Sequence, residues 1–301
     1  MQTGTTRAYI EENTILEVDT MSEAVYGAGK WKLKVLSCGT HKNYKGNLSS
    51  GYDQDLFIKL PYLAFLLQDG NMNILVDNGI NERYVKDGKA WGGIPAWASS
   101  KDLLESLAAE GLEPKDIDLI LYTHLHNDHA GNANFFPTTK SIAQKDEWAN
   151  LLNPCFAELQ RRDFDLEVVP YLASNPNFVK IDGDMDLMEG IRLIKTPGHT
   201  RGSMSIVVNT VNGLRIIVGD LFHMPCNCFP KMEEMPDCDG VMHKITPAED
   251  NPPSLRSSLV YDCYSYYESV DKIKALLPEM DPKYVICGHD PALLLKNADE
   301  I

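Results

Sequence analysis

Six consecutive residues, His124-Leu125-His126-Asn127-Asp128-His129, place three imidazoles and a carboxylate in one short stretch of chain. Imidazole nitrogen and carboxylate oxygen together suit divalent first-row metals, zinc foremost. His124 and His126 stand at i and i+2, so on an extended or turning backbone their rings point the same way. Asp128 and His129 come as the chain bends toward a helix, where they can face a second point. One segment can therefore supply two adjacent cations. Solvated loop histidines are the plain alternative, and three later residues weigh against it. His199 follows Ile191-Arg192-Leu193-Ile194-Lys195, Asp220 follows Leu214-Arg215-Ile216-Ile217, and His289 follows Lys283-Tyr284-Val285-Ile286. Each comes after an apolar β-like run and has Gly immediately before it. Glycine allows the tight turn that swings a side chain off a strand end, where sheet proteins commonly build their sites.

The elements that must hold these residues are visible in the pattern. Asp118-Leu119-Ile120-Leu121-Tyr122-Thr123 reads as a buried strand leading into the hexapeptide. Trp31 to Leu36 alternates as a strand. Leu60–Gln68 and Met72–Asp77 flank Asp69-Gly70-Asn71, a hairpin signal. Ser100 to Glu110 has helical spacing and a glycine stop. Lys145–Leu152 reads as a short helix. Phe178–Asp182 and Ile191–Lys195 are strands joined by an Asp182-Gly183-Asp184 turn. Ser203–Asn209 and Leu214–Gly219 form a hairpin, Leu255–Leu277 is the longest helical candidate, and Lys283–Cys287 is the last strand. Strands alternating with helices in two similar halves suit an α+β, four-layer αββα sandwich: two mixed β-sheets face to face with helices outside.

Composition bounds the function. A chain of 301 residues with 44% hydrophobic and 24% charged residues can bury a large core. No apolar run approaches the ~20 residues of a membrane span, and Met1 to Arg7 has no stretch of signal-peptide type, so a cytoplasmic protein is expected. The net charge of -15 disfavours nucleic acid as a partner, because phosphate backbones need basic patches. Seven scattered cysteines do not form a secreted disulfide framework. Cys226-Asn227-Cys228 with Cys238 falls short of a four-ligand structural zinc pattern and reads as free thiols near a substrate pocket.

Taken together, Leu75-Val76-Asp77-Asn78-Gly79, Thr123 to Gly131, Thr196-Pro197-Gly198-His199-Thr200, Gly219-Asp220 and Gly288-His289 resemble the metallo-β-lactamase-fold superfamily of metallohydrolases. Their order and loop flavour are most similar to the N-acyl-homoserine lactonases and the related pyridoxolactonase. The resemblance implies two divalent metal ions, zinc by default, with manganese or iron accepted by the same donors. By the family pattern His124, His126 and His199 hold the first ion, Asp128, His129 and His289 the second, and Asp220 bridges both. It implies a hydrolase that opens a carbonyl ester, a lactone above all, through a hydroxide shared by the two ions, with Asp128 carrying a proton to the leaving group. Asp77, at the end of an apolar run, reads as an outer acceptor that orients a ligand imidazole.

The same comparison narrows the field. Asp220 stands where the common zinc β-lactamases carry Cys, and His126 where flavodiiron proteins carry Glu, so neither activity is expected. A glyoxalase-II-like thioesterase and a phosphodiesterase of the same fold share the donor set and stay open. A metal-binding sensor is the non-enzyme alternative, weighed down by the full set of seven ligands. In the lactonases a Tyr three residues after the bridging Asp contacts the substrate carbonyl; here that position is His223, a donor whose ordinary pKa is near neutral. Residues 1–30 are expected as an N-terminal extension and 31–301 as one hydrolase domain, with an insertion at 224–254 near the site. Trp91 and Trp97, in a Gly/Pro loop, either line an apolar pocket or cap the core. His41 and His243 lie outside the motifs and read as ordinary core or surface histidines. The expected partners are a small-molecule carbonyl ester and, in a homo-oligomer, further copies of the chain.

Overall fold

Alternation of apolar side chains along the strands sets the layering. The computed structural model describes residues 29–296, so the expected N-terminal extension, up to residue 28, lies outside the described residues. One sheet takes β1 (Lys32–Tyr44), β2 (Phe57–Gln68), β3 (Asn73–Val76), β4 (Ala96–Trp97), β5 (Leu119–Leu121), β6 (Lys140–Gln144) and β7 (Phe178–Ile181), in the order β4-β1-β2-β3-β5-β6-β7. The chain continues through β8 (Met185–Met188), β9 (Ile191–Lys195), β10 (Met204–Thr210) and β11 (Gly213–Gly219). A separate hairpin follows, β12 (Glu234–Pro236) and β13 (Met242–Lys244), and then β14 (Val285–Cys287). The second sheet has the order β14-β11-β10-β9-β8. Both sheets are mixed: β3, β5, β6 and β7 run parallel, as do β11 and β14, while the other neighbours are antiparallel.

Odd residues of β2, Leu63, Phe65 and Leu67, meet Met204, Ile206 and Val208 of β10 in the core between the sheets. Even residues, Tyr62, Ala64 and Leu66, face the other way and pack under the helix Ser100–Ala109 through Leu103 and Leu107. The second sheet repeats the logic: Val207, Ile216 and Val218 lie under Tyr266, Val270 and Ile273 of the helix Cys263–Leu276. Each fully buried aliphatic side chain contributes about 1.5–3 kcal/mol relative to exposure. The result is the four-layer αββα sandwich that the strand and helix pattern led us to expect.

Several elements differ from the sequence expectation. The long helix starts at Cys263, not Leu255, because Asp262 caps it through the Tyr264 and Ser265 amides. The preceding stretch instead lies along the 198–199 turn, with the Tyr261 and Asp262 amides donating to the Gly198 carbonyl at 2.8 and 3.1 Å. The Asp182–Asp184 turn leads into β8, a short half-exposed strand that carries no clear alternation. Segment 224–254 is folded: Met224, Cys226 and Met235 pack with Leu48, Ile58 and Leu60, so Met224 and Met235 fill core, while Met242 is exposed. All seven cysteines are free; Cys226 is buried in that packing and Cys228 in the layer under the helix Cys263–Leu276, and neither lines the site's cleft.

Candidate metal centre

The seven expected donors leave strand ends on one rim of the sandwich. β3 and β5 are parallel neighbours, with Val76 opposite Leu121, so Asp77 and the chain toward His124 emerge side by side. Asp77 has φ +58° and is buried; it accepts from the Thr123 amide (2.7 Å), the Thr123 hydroxyl (2.6 Å) and His129 Nδ1 (2.8 Å). β11 and β14 are the matching parallel pair of the second sheet and deliver Asp220 and His289. Two glycines there answer different needs. Gly219 has φ +54°, and a Cβ on it would lie 2.7 Å from Thr123 Oγ1. Gly288 has an ordinary φ, but a Cβ on it would lie 2.0 Å from Asp220 Oδ1.

Four groups of donors converge, each with its ligand atoms within 4.8 Å of one another: His124, His126 and His199; His124, His129 and Asp220; Asp128, His129 and His289; and His199, Asp220 and His223. All are buried. The outward nitrogens of His124, His129, His199 and His289 are fixed by hydrogen bonds. His199 Nδ1 donates to the Leu259 carbonyl and His289 Nδ1 to the Pro61 carbonyl, both at 2.7 Å. His124 Nδ1 lies 3.0 Å from Thr123 Oγ1, whose own proton goes to Asp77. The tautomers follow from these partners. In neutral His124 and His199 the inward Nε2 is a bare lone pair.

That arrangement tests the fit to a cation. His126 Nδ1 sits 3.2 Å from His124 Nε2 and 3.1 Å from His199 Nε2. One proton on His126 serves one of these lone pairs, whereas a cation serves all three. On the other side, His129 Nε2 and Asp220 Oδ1 lie 3.4 Å apart, yet neither has a hydrogen-bond partner. Asp220 Oδ2 lies 3.2 Å from both His289 and His223 and 3.6 Å from His199. One carboxylate therefore faces donors of both main groups. The residues fit two cations that share Asp220.

The electrostatics agree. Burial holds His124 and His126 well below the usual imidazole range, and pushes His199 down to about 4 and His223 to about 3. These rings stay neutral, the state in which imidazole ligates. Burial also works against charge on His129, but Asp220, Asp128 and Asp77 raise it well above the usual range. Burial pushes the Asp220 carboxyl up, and His289, His223 and His129 outweigh it and hold it low. Burial raises Asp128. Carboxylates gathered on one spot attract positive charge, whether proton or metal.

The cleft above the centre is lined by Trp91, Asp128, Cys155, Arg161, Asp220 and Tyr261, among others. Trp91 lines it, while Trp97 is exposed on the sheet edge. His243 pairs with Asp237 (3.0 Å) on the β12–β13 hairpin and is not among the residues lining the cleft. His41 is different. It is fully buried, stacked on Tyr62 at 4.6 Å and edge-on to His289 at 5.1 Å, with both ring nitrogens unpartnered. A lone histidine in an alternating strand carried no signal of this placement. Arg161 and Tyr261 were likewise invisible, because neither sits in a motif.

The Asp77 geometry yields a prediction. In Asp77→Asn one acceptor becomes an amide donor facing the donors of Thr123 or His129. Metal affinity, read by chelator competition, is expected to fall about 10–100-fold with the far-UV spectrum unchanged. An unchanged affinity would remove Asp77 from the support of the site.

The chain matches the family model of the metallo-beta-lactamase superfamily over residues 59–289. It is 29% identical over 187 residues to the N-acyl homoserine lactonase AiiA of Bacillus thuringiensis subsp. kurstaki, covering 60% of this chain and 70% of that protein. Among solved structures, an N-acyl homoserine lactone hydrolase with the product N-hexanoyl-L-homoserine at its catalytic metal centre superposes with a TM-score of 0.66. The identity is 23%, over 86% of this chain and 93% of that one. AidC, described as a dizinc quorum-quenching lactonase, gives a TM-score of 0.61 at 19% identity, over 88% and 91% of the two chains. These last two are likenesses of fold. The family model covers well over half of the chain and ends on His289, the last of the converging donors; this chain belongs to the metallo-beta-lactamase superfamily.

Proposed function

We propose that the protein is a dinuclear metal-dependent hydrolase that opens a carbonyl ester, a lactone above all. The observation that carries this is the convergence of two donor groups on one shared carboxylate, Asp220. The lactonase relatives support the substrate class. His124, His126 and His199 would hold one ion, Asp128, His129 and His289 the other, with Asp220 common to both and zinc the expected metal. Two cations so placed lower the pKa of water toward neutrality and draw electron density from a carbonyl.

The chain's own residues then have distinct tasks. Thr123, Asp77, Leu259 and Pro61 hold the rings in one tautomer and one orientation. Asp128 lines the cleft, where its carboxylate can take a proton and hand it to the leaving oxygen. Neutral His223, 3.2 Å from Asp220 Oδ2 and buried rather than among the residues that line the cleft, would offer one N–H to the substrate carbonyl. Trp91 and Tyr261 wall the cleft and limit water.

The test is a hydrolysis screen on metal-replete protein with lactones, thioesters, bis-p-nitrophenyl phosphate and β-lactams, run beside elemental analysis. Two ions per chain and a preference for cyclic esters are expected. A thioester preference moves the assignment to a thioesterase. Phosphodiester turnover tenfold or more above every lactone and thioester replaces it with a phosphodiesterase. A reproducible content of zero or one ion after repletion sinks the dinuclear reading.

A further inference from the structure

We propose that Glu147 is a positioning residue that fixes the geometry of the three-histidine metal position from behind. This rests on the reading of His124, His126 and His199 as ligands of one ion. Glu147 lies on the helix Lys145–Leu152 and is fully buried. Its Oε1 accepts from the Leu125 amide at 2.8 Å, between His124 and His126. Its Oε2 accepts from the Thr200 hydroxyl at 2.6 Å and the Gly202 amide at 3.1 Å, just after His199. One carboxylate thus ties together two turns more than 70 residues apart in sequence, and those turns carry all three rings.

Packing alone does not call for an acid here. A buried carboxylate is costly, and burial lifts this one to about 7 against the pull of its three donors. No cation pairs with it among the described residues; its partners are the hydroxyl and two amides. Leucine or methionine would fill the space. The contact surface is built for close approach: a Cβ on Gly202 would lie 2.1 Å from the Glu147 backbone nitrogen. One helical turn on, buried Asn150 continues the clamp. Its Oδ1 accepts from the Arg201 amide at 3.1 Å, and its Nδ2 donates to Glu158 at 3.1 Å. Asp128, His129 and His289 receive no bond from Glu147, so the clamp acts on one ion position and not the other.

Glu147→Gln keeps the shape but turns one acceptor into a donor facing donors. Chelator competition on the zinc-loaded protein is expected to show one ion weakened about 10–100-fold, the range for losing an outer-shell partner. The other ion should stay within about twofold. With cobalt(II) in place of zinc, the visible bands of the weakened position should change. Thr200→Val removes one of the three donors with little change of shape. It should weaken the same ion by about two- to tenfold, the worth of one hydrogen bond, and covers the case in which the glutamine variant does not fold. Wild-type affinity for both ions in either folded variant overturns the proposal. Equal loss of both ions with lowered thermal stability also overturns it, since that is general packing. A wild-type protein that binds no ion overturns the metal reading itself, a distinct result.

Discussion

Replacing Asp220 with alanine is expected to empty both metal positions at once. Its Oδ1 faces His129 and its Oδ2 faces His199, His223 and His289, so this one carboxylate meets donors of both groups. The loss of affinity should exceed the 10–100-fold that removal of an outer partner costs, and hydrolysis should fall to background. Thermal melts supply a second readout. At a free metal concentration of about 1,000 times Kd, each bound ion stabilises by about 4 kcal/mol, and about 2–4 °C accompanies each kcal/mol in a chain of this size. Stripping both ions with chelator should therefore lower the wild-type Tm by roughly 20 °C and leave the Asp220→Ala melt unmoved. Asp128→Ala, by contrast, should release one ion and keep the three-histidine position filled. An alanine variant that still holds two ions would end the shared-carboxylate model.

The second large effect is at His223. If its N–H meets the substrate carbonyl, His223→Phe should lower kcat by about 10²–10³, or roughly 2.7–4 kcal/mol, with metal content at the wild-type level. Phenylalanine keeps the ring that lies nearly parallel to His289 at 5.7 Å. His223→Tyr should recover part of the rate. The residue type alone pointed to titration near neutrality, but burial pushes the ring down to about 3, so it donates a single N–H at every working pH. The profile above about pH 5 should then show no limb from His223, and the tyrosine variant should match it until the phenol ionises near pH 10. Metal loss in the phenylalanine variant would make His223 a ligand. Lowered stability with unchanged turnover per folded molecule would make it a packing residue.

What was legible in the sequence was whatever is carried by side-chain type at fixed local spacing. The hexapeptide, the glycines before His199, Asp220 and His289, and the apolar runs ahead of them are all of that kind. What fastens the rings was not. His199 leans on the carbonyl of Leu259, 60 residues on, in a stretch that helical spacing misread. His289 leans on the carbonyl of Pro61. Backbone acceptors look the same at every residue, so no composition announces them. Glu147 was hidden for another reason: an acid in the first turn of a short helix ordinarily reads as a solvated, dipole-favouring residue. His41 reached the site through the β1–β2 register, where it stands opposite Leu60, and register is a property of two strands and not of one.

The parallel pairing of β11 with β14 has a consequence in time. β14 is the last strand among the described residues, with 65 residues between it and β11, so during synthesis this pairing can form only after the other strands have been made, and non-local parallel pairing is slow. During synthesis His124, His126, His199 and Asp220 are made before β14, whereas His289 arrives only with it. On the dinuclear reading, a nascent chain would then be able to take a first ion while the second position is still open on one side, and loading would be ordered by the topology.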